Sequence, residues 1–237
     1  MKPSGPTPAP LGTTVQPAPA APRTRQVLRR LLPLAVAVAL AACSALGGSK
    51  DAPTLYAPDP RVQADPSWPT VSWQLSLGHP EAARMIDSLR IAVRPVPGEL
   101  QVYSGASWAK TPTEQVEDTV LRALEDSGKI GGVARQGSGV ASDYKLVMDL
   151  RRYEADYAGN AVPSATIEAN AKLLHMPDQG IVAARTFLQA APAAGTDVRS
   201  VTDAFSQALG RIGGEISGWV LATGDAHQRS GTHARRK

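Results

Sequence analysis

The side chains of this 237-residue chain that could do chemistry are one cysteine, Cys43, and four histidines, His79, His175, His227 and His233. One cysteine excludes an intramolecular disulfide, and no two histidines have the spacing of metal ligands. No serine lies in a G-x-S-x-G elbow, and the run 137–139 (Gly-Ser-Gly) lacks the lysine and the helix start of a phosphate loop. We therefore expect no catalytic residue, no metal site and no cofactor.

Cys43 has the surroundings of a lipid attachment site. It follows a twelve-residue apolar run, 31–42, which comes directly after two arginines. Such a run reaches about 18 Å as a helix, too short for the bilayer core of roughly 30 Å, and is typical of an export signal. The run 40–43 (Leu-Ala-Ala-Cys) matches the bacterial lipobox, so we expect Cys43 to carry acyl chains such as palmitate. The small neutral Ser44 favours sorting to the outer membrane; a buried cysteine in a core helix is the alternative.

Composition divides the chain into four parts. Residues 1–42 are predicted to be a disordered lead and a signal peptide that is removed, with seven prolines before residue 23. Translation from Val27 would explain this long lead. Residues 43–69, rich in proline, glycine and aspartate, are predicted to be a tether, and 70–224 to be the domain. Residues 225–237 are predicted to be a basic flexible tail.

Basic residues are concentrated at the two ends of the chain. Of the 25 lysines and arginines, five lie in residues 1–42 and four in residues 225–237. The remaining stretch, 43–224, carries 16 basic and 20 acidic residues and is net negative. A globular part of that sign has no general attraction for a phosphate backbone, so we expect no nucleic-acid partner.

Alternating and helical apolar patterns predict an α+β fold. The run 111–114 (Thr-Pro-Thr-Glu) is typical of a capped helix start, and Ser127-Gly128 of a helix end. A second helix is predicted from about 196 to 221, with glycines that indicate a kink or a close approach to the sheet. We expect a mostly antiparallel sheet with both main helices packed on one face. Strands are predicted at 71–77, 89–93, 100–103, 130–135, 144–157, 165–173 and 181–188.

Three residues of the predicted domain are candidates for contact with a partner. Trp108 lies between a strand and the capped helix, where it either covers the end of the core or anchors an interface. The apolar phase of the long strand slips by one residue at Arg151-Arg152, which predicts a β-bulge there. The two arginines are either solvated bulge residues or partner contacts.

Short runs in order along the domain, after the lipobox, carry a family resemblance: 89–95, 98–103, 108–109, 123–128, 143–144, 149–151, 183–187 and 204–219. Together they resemble the ABC-type transport auxiliary lipoproteins over about residues 70–222. The resemblance implies a non-enzymatic lipoprotein that works with an ABC permease, its ATPase and a mammalian-cell-entry (MCE) domain protein. Such systems move phospholipid or other hydrophobic molecules between the two bacterial membranes. The lipoprotein would dock the periplasmic assembly at the outer membrane.

Two other functions are weighed beside this one. The chain could be an assembly lipoprotein for another outer-membrane machine, such as a secretin or a polysaccharide exporter. It could also be a lipoprotein hydrolase whose catalytic residues are scattered along the sequence. The transport role is favoured because the resemblance spans the whole domain. Whether the protein is a homo-oligomer stays open, since no feature of the sequence counts copies.

Overall fold

A mixed sheet and two long helices make up residues 52–231, the part of the chain that the computed structural model describes. The predicted α+β class is confirmed. In chain order the elements of this part are β1 (Thr54–Tyr56), β2 (Val71–Leu77), β3 (Glu81–Ala82), β4 (Arg90–Arg94), β5 (Gln101–Trp108), α1 (Pro112–Ser127), β6 (Ile130–Arg135), β7 (Tyr144–Asp156), β8 (Ser164–His175), β9 (Gly180–Pro192) and α2 (Val198–Arg229).

Strand β7 lies at the centre of the sheet. Along one edge it pairs over its whole length with β8, which in turn pairs with β9. Along its other edge it pairs in succession with β2, β3 and β4. The long β7–β8 and β8–β9 ladders and the β4–β5 hairpin are antiparallel. The shorter pairings of β7 with β2, β3 and β4 are parallel, as are those of β2 with β6 and β1 with β5.

The predicted β-bulge is confirmed in β7. The register between β7 and β8 shifts between Leu150 and Arg152, so Arg151 has no partner residue in that ladder. The bulge adds one extra residue to β7, so the alternation of side chains between the two faces shifts by one position after it. As a result Leu150 and Tyr153, three residues apart, both face the core, where each is 1% exposed.

Both helices pack on the same face of the sheet. α1 begins with the predicted capping box, in which Thr111 and Glu114 exchange side-chain and backbone hydrogen bonds. Tyr153 of β7 contacts both helices: its hydroxyl donates to Gln115 of α1 at 2.7 Å, and its ring stacks on Phe205 of α2 at 4.8 Å. Within residues 52–231, neither helix is apolar enough along its length to span a membrane.

The ordered domain begins earlier than predicted. β1 lies within the segment assigned to the tether, and it pairs with β5 at the edge of the sheet. Residues 60–68, which follow, pack along α2. The prediction of a tether over residues 43–69 is therefore wrong from Thr54 onward, because main-chain pairing with β5 and a groove in α2 hold residues 54–68. Residues 1–51, which include the predicted signal peptide and the rest of the tether, lie outside the described residues.

The glycines of α2 form the groove that holds residues 60–68. Glycines at three positions four residues apart share one side of the helix, and each faces this segment. The predicted close approach is thus to the N-terminal segment rather than to the sheet alone. A Cβ atom added to Gly210 would lie 3.2 Å from Pro60, one on Gly214 3.2 Å from Val62, and one on Gly218 2.5 Å from Trp68.

Several predicted bounds are too short. β5 continues to Trp108 instead of ending at residue 103, and α2 continues to Arg229 instead of about 221. The first residues of the predicted flexible tail are therefore helical, and residues 232–237 lie outside the described part. β1 and β3 were not predicted, because strands of three and two residues are too short to show alternation.

Replacing Gly218 by alanine tests the packing of the N-terminal segment. Alanine alone stabilises a helix by about 1 kcal/mol relative to glycine, whereas overpacking costs about 1–3 kcal/mol. We expect G218A to lower the free energy of unfolding by about 1 kcal/mol in urea titrations, because the new methyl group meets the Trp68 ring. In a W68A background the same change should be stabilising. Stabilisation in both backgrounds would show that Trp68 does not occupy this groove.

Candidate interaction surface

The residues singled out by the sequence fall in three places. Cys43 and Ser44, the expected lipidation and sorting residues, lie outside the described residues and stay predictions. Trp108 is in the core, at the end of β5. Arg151 and Arg152 lie at the bulge of β7. Of those that lie in the described part of the chain, only the two arginines are neighbours, and their surroundings differ.

Trp108 is a core residue. Its side chain is 1% exposed and makes edge-on contacts with Tyr153, at 5.9 Å between ring centroids, and with Phe205, at 5.1 Å. Its indole nitrogen has no hydrogen-bond partner among the described residues. This placement agrees with the alternative that Trp108 covers the end of the core. It counts against a partner contact, because the ring does not reach the surface.

The face of β7, β8 and β9 opposite the helices carries polar and small residues. We call this face of β7, β8 and β9 the open face. The register of the strands places its side chains in rows across the three strands. Asn170 donates a hydrogen bond to Thr186 at 3.0 Å within one row. Leu188 and Ile181, which are 55% and 63% exposed, are large apolar side chains in the rows. Four of the rows are Lys145–Leu174–Ile181, Val147–Lys172–Ala184, Asp149–Asn170–Thr186 and Arg152–Glu168–Leu188.

Arg152 belongs to a buried ion-pair cluster. Glu154, only 1% exposed, accepts two hydrogen bonds from Arg94, at 2.8 and 2.9 Å, and one from Arg152 at 2.8 Å. Arg152 also pairs with Asp156 at 2.5 Å. The hydrogen bonds to Glu154 raise the pKa of Arg94, which stabilises its charged form. Since Arg94 is on β4 and Glu154 on β7, the cluster joins two strands of the sheet.

Arg151, in contrast, lies at the surface. Its side chain is 46% exposed, and it approaches Asp149 at 3.3 Å and Glu168 at 3.7 Å. Exposed pairs of this kind contribute about 0–1 kcal/mol, so they hold the guanidinium weakly. The structure thus separates the two arginines of the predicted pair. Arg152 has a structural role, and Arg151 is available for another contact.

The outer edge of β9 is open. Among the described strands β9 pairs only with β8, so one edge of this thirteen-residue strand has no neighbour. Exposed edges usually carry several charges that prevent strand addition. β9 has one, Arg185, and its guanidinium lies 4.7 Å from the centroid of the Phe187 ring. Ile181 and Leu188 are 63% and 55% exposed along the same strand. This edge is suited to pairing with an extended segment of a partner.

One side of α1 carries a network of opposite charges. Glu117 is hydrogen-bonded to His79 at 2.8 Å and paired with Arg135 at 2.9 Å, and Lys110 pairs with Asp118 at 2.5 Å. Cavities of about 390 and 410 Å³ lie beside this network, and neither is lined by Ser, Thr or Cys. Within residues 52–231, no cluster of His, Cys, Asp or Glu could hold a metal ion.

Replacing Glu154 by glutamine tests the buried cluster. The change leaves two arginines beside an uncharged side chain, and breaking a buried pair in this way costs about 3 kcal/mol. We expect E154Q to lower the free energy of unfolding by about that amount. D149N removes a partner of the exposed Arg151 and should cost less than about 1 kcal/mol. Equal costs for the two variants would contradict the distinction between the buried and the exposed arginine.

Comparison with known structures shows one close neighbour and several remote ones. The crystal structure of protein XCC0632 from Xanthomonas campestris, assigned to the family DUF330, is 56% identical in sequence. It covers 74% of this chain and 99% of its own, with a TM-score of 0.72. A crystal structure of an uncharacterized protein is 13% identical, covers 70% of this chain and 97% of its own, and has a TM-score of 0.56, which shows a shared fold alone.

Comparison with protein families gives a match over most of the domain. No curated protein matches the chain significantly. The model of the ABC-type transport auxiliary lipoprotein component matches residues 54–217. The match begins at β1, where the structure also places the start of the domain. This chain therefore belongs to the family of ABC-type transport auxiliary lipoproteins.

Proposed function

We propose that this protein is a non-enzymatic outer-membrane lipoprotein that serves as the auxiliary component of an ABC/MCE-type transporter. It docks the periplasmic assembly of the transporter at the outer membrane, and the cargo is phospholipid or another hydrophobic molecule. The family match over residues 54–217 is the observation that carries the proposal.

The anchor in this proposal is Cys43. The lipobox at residues 40–43 supports acylation of its thiol, and two or more acyl chains hold a protein stably on a bilayer. Ser44 supports transfer to the outer membrane, so that the domain faces the periplasm. Because the ordered domain starts at Thr54, only ten residues separate it from the lipidated cysteine. The anchor therefore holds the domain close to the membrane.

The partner surface in this proposal is the open edge of β9 together with the adjoining open face. The edge offers main-chain groups for strand addition, and Arg151 offers a weakly held positive charge on the same side of the sheet. An MCE-domain protein or the ABC permease and ATPase complex would bind here. The same open edge would also allow a homo-oligomer, with a second copy as the neighbour of β9.

The experiment that tests the proposed function is a pull-down from detergent-solubilised envelope with the full chain tagged at its C-terminus. We expect an MCE-domain protein and an ABC permease among the partners identified by mass spectrometry. An acylated protein that brings down a secretin or a polysaccharide exporter instead would overturn the transport role in favour of an assembly lipoprotein. Hydrolysis of esterase or peptidase substrates by the purified protein would contradict the non-enzymatic role.

Two substitutions test the anchor separately from the partner. We expect C43S to remove the acyl mass and release the protein from the membrane, because a hydroxyl does not replace the acylated thiol. We expect S44D to keep the acyl chains and to move the protein to the inner membrane. Membrane fractionation and intact-mass measurement check both results. An acylated S44D protein that stays in the outer membrane would contradict the sorting role of Ser44.

Charge reversal at Arg151 tests the partner surface. Since Arg151 is half-exposed and weakly paired, R151E should leave stability almost unchanged and reduce recovery of the partner by about tenfold. Arg211, exposed on α2, provides the matched control, and R211E should have no effect on recovery. Equal recovery with both variants would remove Arg151 from the partner surface.

A further inference from the structure

We propose that the domain rests on the phospholipid bilayer with one end of its sheet. We call it the valine end and define it as the three turns 95–100, 157–163 and 193–197, with Val96 and Val162 at the surface. The proposed occupant is the bilayer that holds the acyl chains of Cys43, so the inference rests on the lipid anchor of the proposed function.

The three turns lie side by side. The amide of Tyr157 donates to the carbonyl of Arg94 at 3.1 Å, which brings the β7–β8 turn against the β4–β5 turn. The amide of Ala193 donates to the carbonyl of Pro163 at 3.0 Å, which brings the chain between β9 and α2 against the β7–β8 turn. The valine end is therefore one continuous surface formed by three separate parts of the chain.

The valine end exposes apolar side chains beside two charged ones. Val96 is 50% exposed and Val162 37% exposed, and the charged residues of its three turns are Glu99 and Asp197. Exposed apolar side chains favour contact with the headgroup boundary of a bilayer. The opposite end is formed by the loop 136–143, the turn 176–179 and the last turns of α2, with the charged residues Asp143, Asp178, Asp225 and Arg229.

The direction of the chain connects the valine end to the anchor. β1 runs parallel to β5, with Thr54 opposite Ala106, so the first residue of β1 lies on the side of the strand nearer to Gln101. Gln101 is the first residue of β5 and follows the turn 95–100 of the valine end. The eleven residue steps from Cys43 to Thr54 cover at most about 40 Å. α2, which runs between the two ends of the domain, is itself about 48 Å long at 1.5 Å per residue.

A weak contact is enough in this arrangement. The acyl chains keep the domain at the bilayer, so the valine end meets lipid at a high effective concentration and needs little affinity of its own. Exposed valines and prolines supply apolar area for such a contact at the headgroup boundary. The result is a fixed orientation, in which the C-terminal end of α2 and the loop 136–143 point away from the membrane.

Two valines of nearly equal exposure make a matched test. Val96 is 50% exposed at the valine end, and Val140 is 54% exposed at the opposite end. The chain has one cysteine, whose sulfur is taken up by the lipid anchor, so V96C or V140C introduces a single free thiol. An environment-sensitive fluorophore is attached to that thiol in the full-length acylated protein. The labelled protein is then reconstituted in vesicles of phosphatidylethanolamine and phosphatidylglycerol.

Quenching by nitroxide-labelled phospholipid is the measurement. We expect the label at residue 96 to be quenched at least about fivefold more strongly than the label at residue 140, with an emission shifted to the blue. A second variant, V162D, should reduce the quenching at residue 96 while circular dichroism shows an unchanged fold. Equal quenching at both positions, or stronger quenching at residue 140, would overturn the inference. So would quenching at residue 96 that appears only when envelope proteins are added, because the occupant would then be a protein.

The intact mass of the same sample distinguishes a failure of the proposed orientation from a failure of the proposed anchor. An acylated protein without quenching at residue 96 removes the orientation and leaves the lipoprotein function in place. A protein without acyl mass at Cys43 contradicts the anchor, and the orientation fails with it.

Discussion

The pairing of β7 along both of its edges is the constraint on which the rest of the structure depends. One edge holds β8 and, through it, β9, while the other holds β2, β3 and β4 one after another. Three strands can share that edge because β7 has thirteen residues and each of them pairs over only two or three. The bulge at Arg151 keeps the buried side chains on one face along this length. Without it, the residues after the bulge would point away from the helices.

The second organising feature is the division of the sheet into a covered face and an open one. α1 and α2 meet the covered face through Tyr153, which contacts both. The open face has no such cover, and there the buried Glu154 and its two arginines replace apolar packing between β4 and β7.

The sequence was sufficient to predict the elements with long, regular patterns. It was insufficient to predict the elements that are held by contacts between distant residues. The capping box of α1, the strand at 71–77 and the bulge at Arg151 each leave a local signal, and all three are confirmed. The parallel pairing of β1 with β5 leaves none, because it joins residues about fifty positions apart.

The same limit applies to the candidate surface: local signals could be read from the sequence, and contacts between distant residues could not. Arg152 and Arg151 are adjacent in sequence, and only the register of the strands shows that one faces Glu154 and the other solvent. The pairing of Arg94 with Glu154 was missed, since its signal is two opposite charges in separate strands. The sequence left Trp108 open between the core and an interface, and its burial places it in the core.

The attachment of residues 54–68 to the domain has a mechanical consequence. A pull on the chain before Thr54 is applied along the axis of β1, so that the main-chain bonds to β5 share the load instead of breaking one by one. Behind them, Pro60, Val62 and Trp68 are seated in the glycine groove of α2, a helix that extends the length of the domain. Tension applied at Thr54 is thus transmitted to the body of the protein as shear, the direction in which paired strands resist most strongly.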